Sequence, residues 1–329
     1  MPVYHPPFQL THRMTALVAD IAERLGAWKA ASRDALVPAL RRSNRIRTLQ
    51  ASLAIEQNTL SVEQVTAVLA GKPVLGSPRE VQEVHNAFAA YEAMERWQPH
   101  RLADLLQAHG LLMAGLVDRP GKLRDGDVGI WRGSKLLHMA PPAGQVPRLV
   151  KDLLGWLRRT DAHPLVASAA FHYDFEFIHP FSDGNGRMGR LWQTLVLSRW
   201  QPVLAWLPVE TVIRHRQQDY YAHLAKADAT SDCSGFIEFM LQAIADSLEE
   251  AIAAEMRVET QVEKRVEPER RTPDQILSLL RSQPALTLAE VAEAIGRARS
   301  TVERAAARLQ SEGRLRHVGP KKGGRWEVL

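Results

Sequence analysis

A mainly α-helical chain, with one short hairpin and a separate small module at its C-terminus, is the fold the sequence predicts. Three observations carry this. Almost every strongly periodic segment repeats its apolar residues at three- and four-residue steps, the spacing of amphipathic helices. The stretch 129–146 breaks that pattern. The third is charge: residues 271–329 hold eleven Lys or Arg against six Asp or Glu, so the whole formal excess of +5 sits there and residues 1–270 balance to zero.

The 329 residues suit two or three domains. A composition 45% apolar and 24% charged is that of a globular protein. No apolar run approaches the ~18 residues of a membrane helix, and Met1-Pro-Val-Tyr-His-Pro-Pro lacks the pattern of a secretory signal. Cys233 is the single cysteine, which excludes an internal disulfide and a cysteine-cluster metal site and suits a reducing cytoplasm.

Residues 11–30 and 34–42 have helical spacing. Ser61 is placed to cap a helix running to about Leu69. A turn at Gly71-Lys-Pro precedes a helix from about Ser77 to Arg96, and another spans Arg101–Ala114. After a Gly- and Pro-containing loop, Trp131-Arg-Gly, Lys135–His138 and Pro141-Pro142 read as an extended hairpin leading into a loop. Helices are predicted over 146–159 and 163–177, the second ending where Pro180 disfavours the α conformation of His179. Gly184 and Gly186 permit a tight turn before a helix from Met188 to Arg199. Phe236, Met240, Ile244, Leu248 and Ile252 fall on one face of a long helix over 236–256. The predicted organisation is a helical N-terminal region (1–100), a core (101–256), a charged linker (257–271) and a module (272–329) opened by Thr272 as cap and Pro273 at the first helical position.

The chemistry concentrates in His179-Pro-Phe-Ser-Asp-Gly-Asn-Gly-Arg-Met-Gly-Arg190. Gly184, Asn185 and Gly186 precede a helix, where free N–H groups and the helix dipole favour phosphate oxygens. Arg187 and Arg190 are three apart, so both can reach one anion. Asp183 is a hard oxygen ligand suited to Mg²⁺ bridging phosphates. His179, with an ordinary pKa near neutrality, suits removal of a proton from an attacking hydroxyl. Base, metal carboxylate, anion nest and two guanidiniums are the parts needed for attack on a phosphate.

This stretch resembles the Fic family motif, His-Pro-Phe-x-Asp/Glu-Gly-Asn-Gly-Arg-x-x-Arg, with no departure. The resemblance implies a helical Fic domain and transfer of AMP from ATP, with Mg²⁺, to a Ser, Thr or Tyr hydroxyl. It implies His179 as base, Asp183 as metal ligand, Asn185 and Gly186 as phosphate cradle, and Arg187 and Arg190 as phosphate clamps. The phosphotransferase branch of the family carries Lys where Gly186 stands, so Gly186 favours nucleotidyl transfer. The hairpin resembles the family's flap, which pairs with the target segment by strand addition, and is placed at Gly133, Ser134, Lys135, Leu136, Leu137, His138 and Met139. Tyr220-Tyr221 followed by Leu224 resembles a segment near the nucleoside.

Ser52 and Glu56 are four apart, on one helical face. With Gln57 and Asn58 they resemble the inhibitory helix of N-terminally inhibited Fic proteins, placed here at about 48–58. Its glutamate is implied to pair with Arg190 and keep the γ-phosphate from its productive pose. In relatives the same glutamate also supports removal of AMP. Gln57 stands where Gly is common, leaving the helix end undefined.

Residues 272–329 read as helices over 273–281, 287–295 and 299–312 followed by a hairpin, and resemble a winged helix-turn-helix. Arg297, Arg299, Arg304 and Arg308 line the would-be recognition helix, with Lys321, Lys322 and Arg325 on the wing, a spacing suited to DNA phosphates. A unit for protein docking or dimer formation is the alternative, and relatives often form homodimers. Three functions follow: an autoinhibited adenylyltransferase acting on itself or another protein, with or without AMP removal; a DNA-binding regulator with a weakly active Fic domain; and a nucleotide-binding scaffold. The intact motif favours the first.

Overall fold

A computed structural model describes residues 4–31, 38–132, 135–266, 272–320 and 324–329. The chain divides into two compact units, Met1–Glu255 and Met256–Leu329.

The first unit opens with α1 (His12–Ala31), α2 (Pro38–Ile55), α3 (Val62–Leu69), α4 (Pro78–Ala93) and α5 (Leu102–Leu112). Ser61 and Ser77 each head a capping box, with Gln64 and Glu80 returning the bond, so α3 and α4 start where side chains satisfy their orphan N–H groups. The antiparallel strands β1 (Gly129–Arg132) and β2 (Lys135–Met139) follow, with Gly129 opposite Met139 and an irregularity between Ile130 and Trp131. Then come α6 (Val146–Arg159), α7 (Pro164–Ile178), α8 (Asn185–Trp200), α9 (Val209–His215), α10 (Gln217–Thr230) and α11 (Ser234–Val266). α7 is buried from Leu165 through Phe175, polar Ser168, His172 and Asp174 included. A helix buried on all sides forms the centre of a core, and α7 packs most extensively against α8.

Several boundaries differ from the sequence reading. The stretch 34–42 and the inhibitory stretch belong to one helix, α2, where described, and 32–37 lie outside the described residues. α2 ends at Ile55, before Glu56, because Gln57 takes a left-handed conformation (φ 69°). Its N–H donates to Ala54 O (3.1 Å) while Asn58 N–H donates to Leu53 O (3.1 Å), a Schellman closure. α8 starts three residues before Met188, since Gly184 (φ 82°) supplies the turn. α11 runs on to Val266, into the segment read as a linker, and 267–271 lie outside the described residues. α9 and α10 had no periodic signature strong enough to read.

The second unit contains α12 (Thr272–Ser282), α13 (Leu288–Ala294), α14 (Arg299–Ser311) and the antiparallel pair β3 (Leu315–Val318) and β4 (Arg325–Val328). Its own core includes Ile276, Leu280, Val291, Val302, Ala306 and Leu309. Among the described residues, no helix is long and apolar enough to cross a membrane.

Candidate active site

The loop between α7 and α8 is shaped by its own sequence. His179 closes α7 in a left-handed conformation (φ 49°, ψ 61°), with its N–H on Phe175 O at 3.0 Å. Pro180 disfavours the right-handed helical alternative. The His179 ring touches Glu176 O through Nδ1 at 3.3 Å. A carbonyl only accepts, so this contact places the proton on Nδ1.

Phe181 anchors the loop. Its ring is fully buried and stacked on His109, centroids 3.7 Å apart at 6°. The Asn185 amide closes the turn, accepting from Phe181 N–H and donating to Phe181 O, both at 2.9 Å. Asn185 thus spends its side chain on the loop and leaves only its N–H toward an anion. Burial lowers the His109 pKa to about 4, so the ring is neutral. Nδ1 accepts from Gly121 N–H (2.8 Å), and the proton on Nε2 is donated to Asp183 O (3.0 Å). Gly184 sits at φ 82°, a conformation that L side chains rarely adopt and glycine takes freely.

The two arginines go to different partners. Arg190 is buried and donates to Ser52 Oγ (3.0 Å), Ser52 O (3.0 Å) and Glu56 Oε1 (2.8 Å). Burial opposes its charge, but the Glu56 carboxylate outweighs this and raises its pKa. Arg187, also buried, donates to Glu83 Oε1 on α4 (3.2 Å) and Asp183 Oδ1 (3.3 Å). Glu83 Oε2 in turn accepts from Asn58 Nδ2 at 2.8 Å. Arg79, one turn before Glu83, reaches Asp183 Oδ2 at 3.3 Å.

Glu56, Gly186, Arg190, His179, Tyr220 and Tyr221 line one cleft. Glu176, Phe177, Leu224 and Asp228 complete its wall. Glu56 reaches so far across that a Cβ on Gly186 would stand 2.3 Å from its Oε1. Tyr220 is fully buried, its hydroxyl 3.0 Å from His172 Nε2, whose Nδ1 contacts Gln193 Oε1 at 2.6 Å. Burial disfavours the Glu176 charge, but His172, His179 and Arg190 outweigh it, and the group stays a carboxylate. Asp183 and Gly184 on the loop, and Asn185 and Arg187 in the first turn of α8, are not among its lining residues.

Asp183 tests the fit of a cation. Among the described residues no three His, Cys, Asp or Glu side chains converge as a metal cage. Asp183 is a half-exposed carboxylate next to the free N–H groups of the first turn of α8. That donor set fits Mg²⁺ held by one carboxylate, water and phosphate oxygens.

In the flap, Gly133 and Ser134 lie outside the described residues. Lys135 through His138 are described by strand pairing alone, and Met139 is exposed. The hairpin is longer than predicted, beginning at Gly129, and β2 packs beside α10, which carries Tyr220 and Tyr221. Sequence reasoning missed Arg79, Glu83, His109, His172 and Glu176. The i,i+4 pairings of Arg79 with Glu83 and of His172 with Glu176 were the local signals; His109 is a single polar residue on an apolar helix. Of the C-terminal residues, Lys321 and Lys322 lie outside the described residues, and Arg297, Arg299, Arg304, Arg308 and Arg325 are exposed. Arg299 pairs with Glu303 on α14 and Arg308 with Glu312 just past its end, each at 2.7 Å.

Comparison with known proteins is consistent with this geometry. Residues 99–197 match the Fic/DOC family model, and residues 275–319 match an IclR helix-turn-helix domain model. A protein adenylyltransferase fic-1 of Caenorhabditis briggsae is 30% identical over 220 residues, covering 62% of this chain and 40% of the relative. The chain thus spans about two fifths of that relative's length. A Fic-1 structure (residues 134–508) from C. elegans, 23% identical with a TM-score of 0.63 and covering 74% and 73% of the two chains, shares the fold. The crystal structure of a Fic family protein from Desulfovibrio desulfuricans G20 is 49% identical, with a TM-score of 0.74, covering 99% of this chain and 98% of that one. With the motif loop intact and a relative this similar end to end, the chain belongs to the Fic family.

Proposed function

We propose that the chain is an autoinhibited protein adenylyltransferase that moves AMP from ATP to a Ser, Thr or Tyr hydroxyl of a protein, itself included. The observation that carries this is the engagement of buried Arg190 by Glu56 and Ser52 at the rim of a cleft that His179 also lines. Relatives named protein adenylyltransferases support the reaction class.

In the reaction, the acceptor hydroxyl oxygen attacks the α-phosphorus and the bond to the bridging oxygen of pyrophosphate breaks. His179 Nε2 takes the hydroxyl proton. The N–H groups opening α8 face the phosphates, Arg187 and Arg190 neutralise charge on them, and Tyr220, Tyr221 and Leu224 border the nucleoside. Mg²⁺ held by Asp183 would supply charge neutralisation at the phosphates. Glu56 opposes all of this: it occupies Arg190 and lies against Gly186, where a phosphate oxygen would approach. Two anions brought together there repel.

Labelled ATP with Mg²⁺ tests the reading. Label should enter protein in the Glu56→Gly form, at a lower level in the parent, and not in Glu56→Gly/His179→Ala. Absence of label from all three, beside tight duplex binding, would support the DNA-binding regulator instead. Because Glu56 shares the cleft with His179, we also propose AMP removal by the parent form, read as release of label from pre-modified protein.

For the second unit we propose DNA contact through α14, supported by the IclR-type match and the exposed Arg304. The ion pairs of Arg299 and Arg308 partly offset their charge, so a steep loss of duplex binding with salt separates this role from protein docking. A reducing cytoplasm is the proposed setting, and Cys233 is a buried free thiol.

A further inference from the structure

We infer that Arg124 is a positioning residue that holds the acceptor-binding flap and the general base His179 in fixed relation; this rests on the transfer reaction proposed above. Arg124 lies in the loop before β1 and is buried, 6% exposed. Among the described residues its guanidinium donates only to backbone carbonyls, and they come from two places. Nε donates to His179 O at 2.7 Å and Nη2 to Ile178 O at 3.3 Å, at the end of α7. Nη1 donates to Gly126 O at 2.9 Å and Nη2 to Pro141 O at 2.5 Å, one on each side of the hairpin. The backbone repeats the link, since Arg124 N–H donates to Pro180 O at 2.9 Å.

The geometry has a chemical rationale. The last carbonyls of α7 have no intrahelical donors, and a cation is favoured at that negative helix end. His179 is left-handed, a conformation that a non-glycine residue holds only when its surroundings fix it. Arg124 fixes it by the carbonyl. The same planar group binds the chain entering and leaving the flap, whose base is also closed by Ala140 N–H on Val128 O (3.2 Å) and Ala143 N–H on Asp127 Oδ1 (2.7 Å). Lysine, a single ammonium, cannot span carbonyls arranged on both sides of a fork. One side chain therefore sets the distance between the strand that presents a hydroxyl and the ring that deprotonates it. A displacement of about 1 Å between such groups costs roughly 100-fold in rate.

The test uses the full chain in the Glu56→Gly form, with Arg124→Met and Arg124→Lys added. Amide exchange reads the link without any need for activity. Arg124→Met should speed exchange together in 126–141 and 178–181 while α2 and α8 keep their protection. In single-turnover labelling it should lose about 100-fold, with affinity for a fluorescent ATP analogue within about twofold, and Arg124→Lys should fall between. Faster exchange in only one of the two segments overturns the inference. So does labelling within threefold of the Glu56→Gly form, or a parallel loss of nucleotide binding. Should Arg124→Met not fold, Arg124→Lys is read by the same criteria. If Glu56→Gly itself takes up no label, the proposed transfer falls, and the exchange pattern alone decides the role of Arg124.

Discussion

Replacing Glu56 with glycine removes the carboxylate bonded to Arg190, leaving the guanidinium its two bonds to Ser52. A hydrogen bond to a charged group contributes about 1.5–3 kcal/mol. Glu56 is 34% exposed, which screens the pair, while Arg190 is 1% exposed, which strengthens it, so the lower half of that range applies. Each 1.4 kcal/mol is tenfold, so labelling at sub-saturating ATP should rise about twelve- to fortyfold. Stability should move oppositely, because removing one partner strands a buried charge; a loss of about 1–2 kcal/mol is expected, since water enters the cleft beside Arg190. The assay pairs labelling from radioactive ATP with thermal melting of parent, Glu56→Gly and Glu56→Gln. Glu56→Gln keeps the side-chain length and removes the charge, and should recover most of the activation. Labelling unchanged in both variants, beside a silent His179→Ala control, refutes the competition. Activation by glycine and none by glutamine refutes its electrostatic basis.

Gly186→Ala should push the Glu56 carboxylate aside, because its Cβ would stand 2.3 Å from Oε1. Its melting cost should therefore be larger with Glu56 present than in Glu56→Gly, by about 1 kcal/mol in a double-mutant cycle; equal costs would contradict the contact. Arg79→Ala removes an ion pair from Asp183 and should lower the Mg²⁺ needed for half-maximal labelling about two- to fivefold, the worth of an exposed pair. An unchanged Mg²⁺ titration would show that Arg79 does not compete with the proposed Mg²⁺ for Asp183. Burial raises the Asp174 carboxyl pKa to about 7, against a hydrogen bond from the Tyr4 hydroxyl that lowers it. The folded state thus binds this proton more tightly than the unfolded state. Its contribution is complete below the ordinary carboxyl range and is lost as pH rises through 7. Melting should show a loss of about 2–3 kcal/mol between pH 5 and 8, absent in Asp174→Asn.

Much of the fold was legible because its helices carry their own start signals. The boxes headed by Ser61 and Ser77 are local chemistry and need no tertiary partner. α7 was legible from its apolar run and from Pro180, and the hairpin from its break in period. Gln57 shows the limit: its left-handed turn ends α2 before Glu56, yet a glutamine gives no sign of this. α9 and α10 were not readable, since short segments of mixed polarity adopt helix only once packed.

In the site, the twelve residues from His179 to Arg190 announced a phosphate chemistry by themselves, because loop, turn and helix start are contiguous and their geometry is set locally. The partners of the two arginines were a different matter. Arg190 and Glu56 are 134 positions apart, and Arg187 and Glu83 are 104 apart. A motif match suggested the first pairing and nothing suggested the second. Nor did any pattern mark Arg124, whose acceptors are carbonyls that every residue possesses. The sequence by itself determined the reactive groups and the turn that carries them. Tertiary structure alone decided which carboxylate holds each guanidinium, which tautomer His109 keeps and where the flap is fastened. Those depend on burial and on distance through space, and neither is encoded in spacing along the chain.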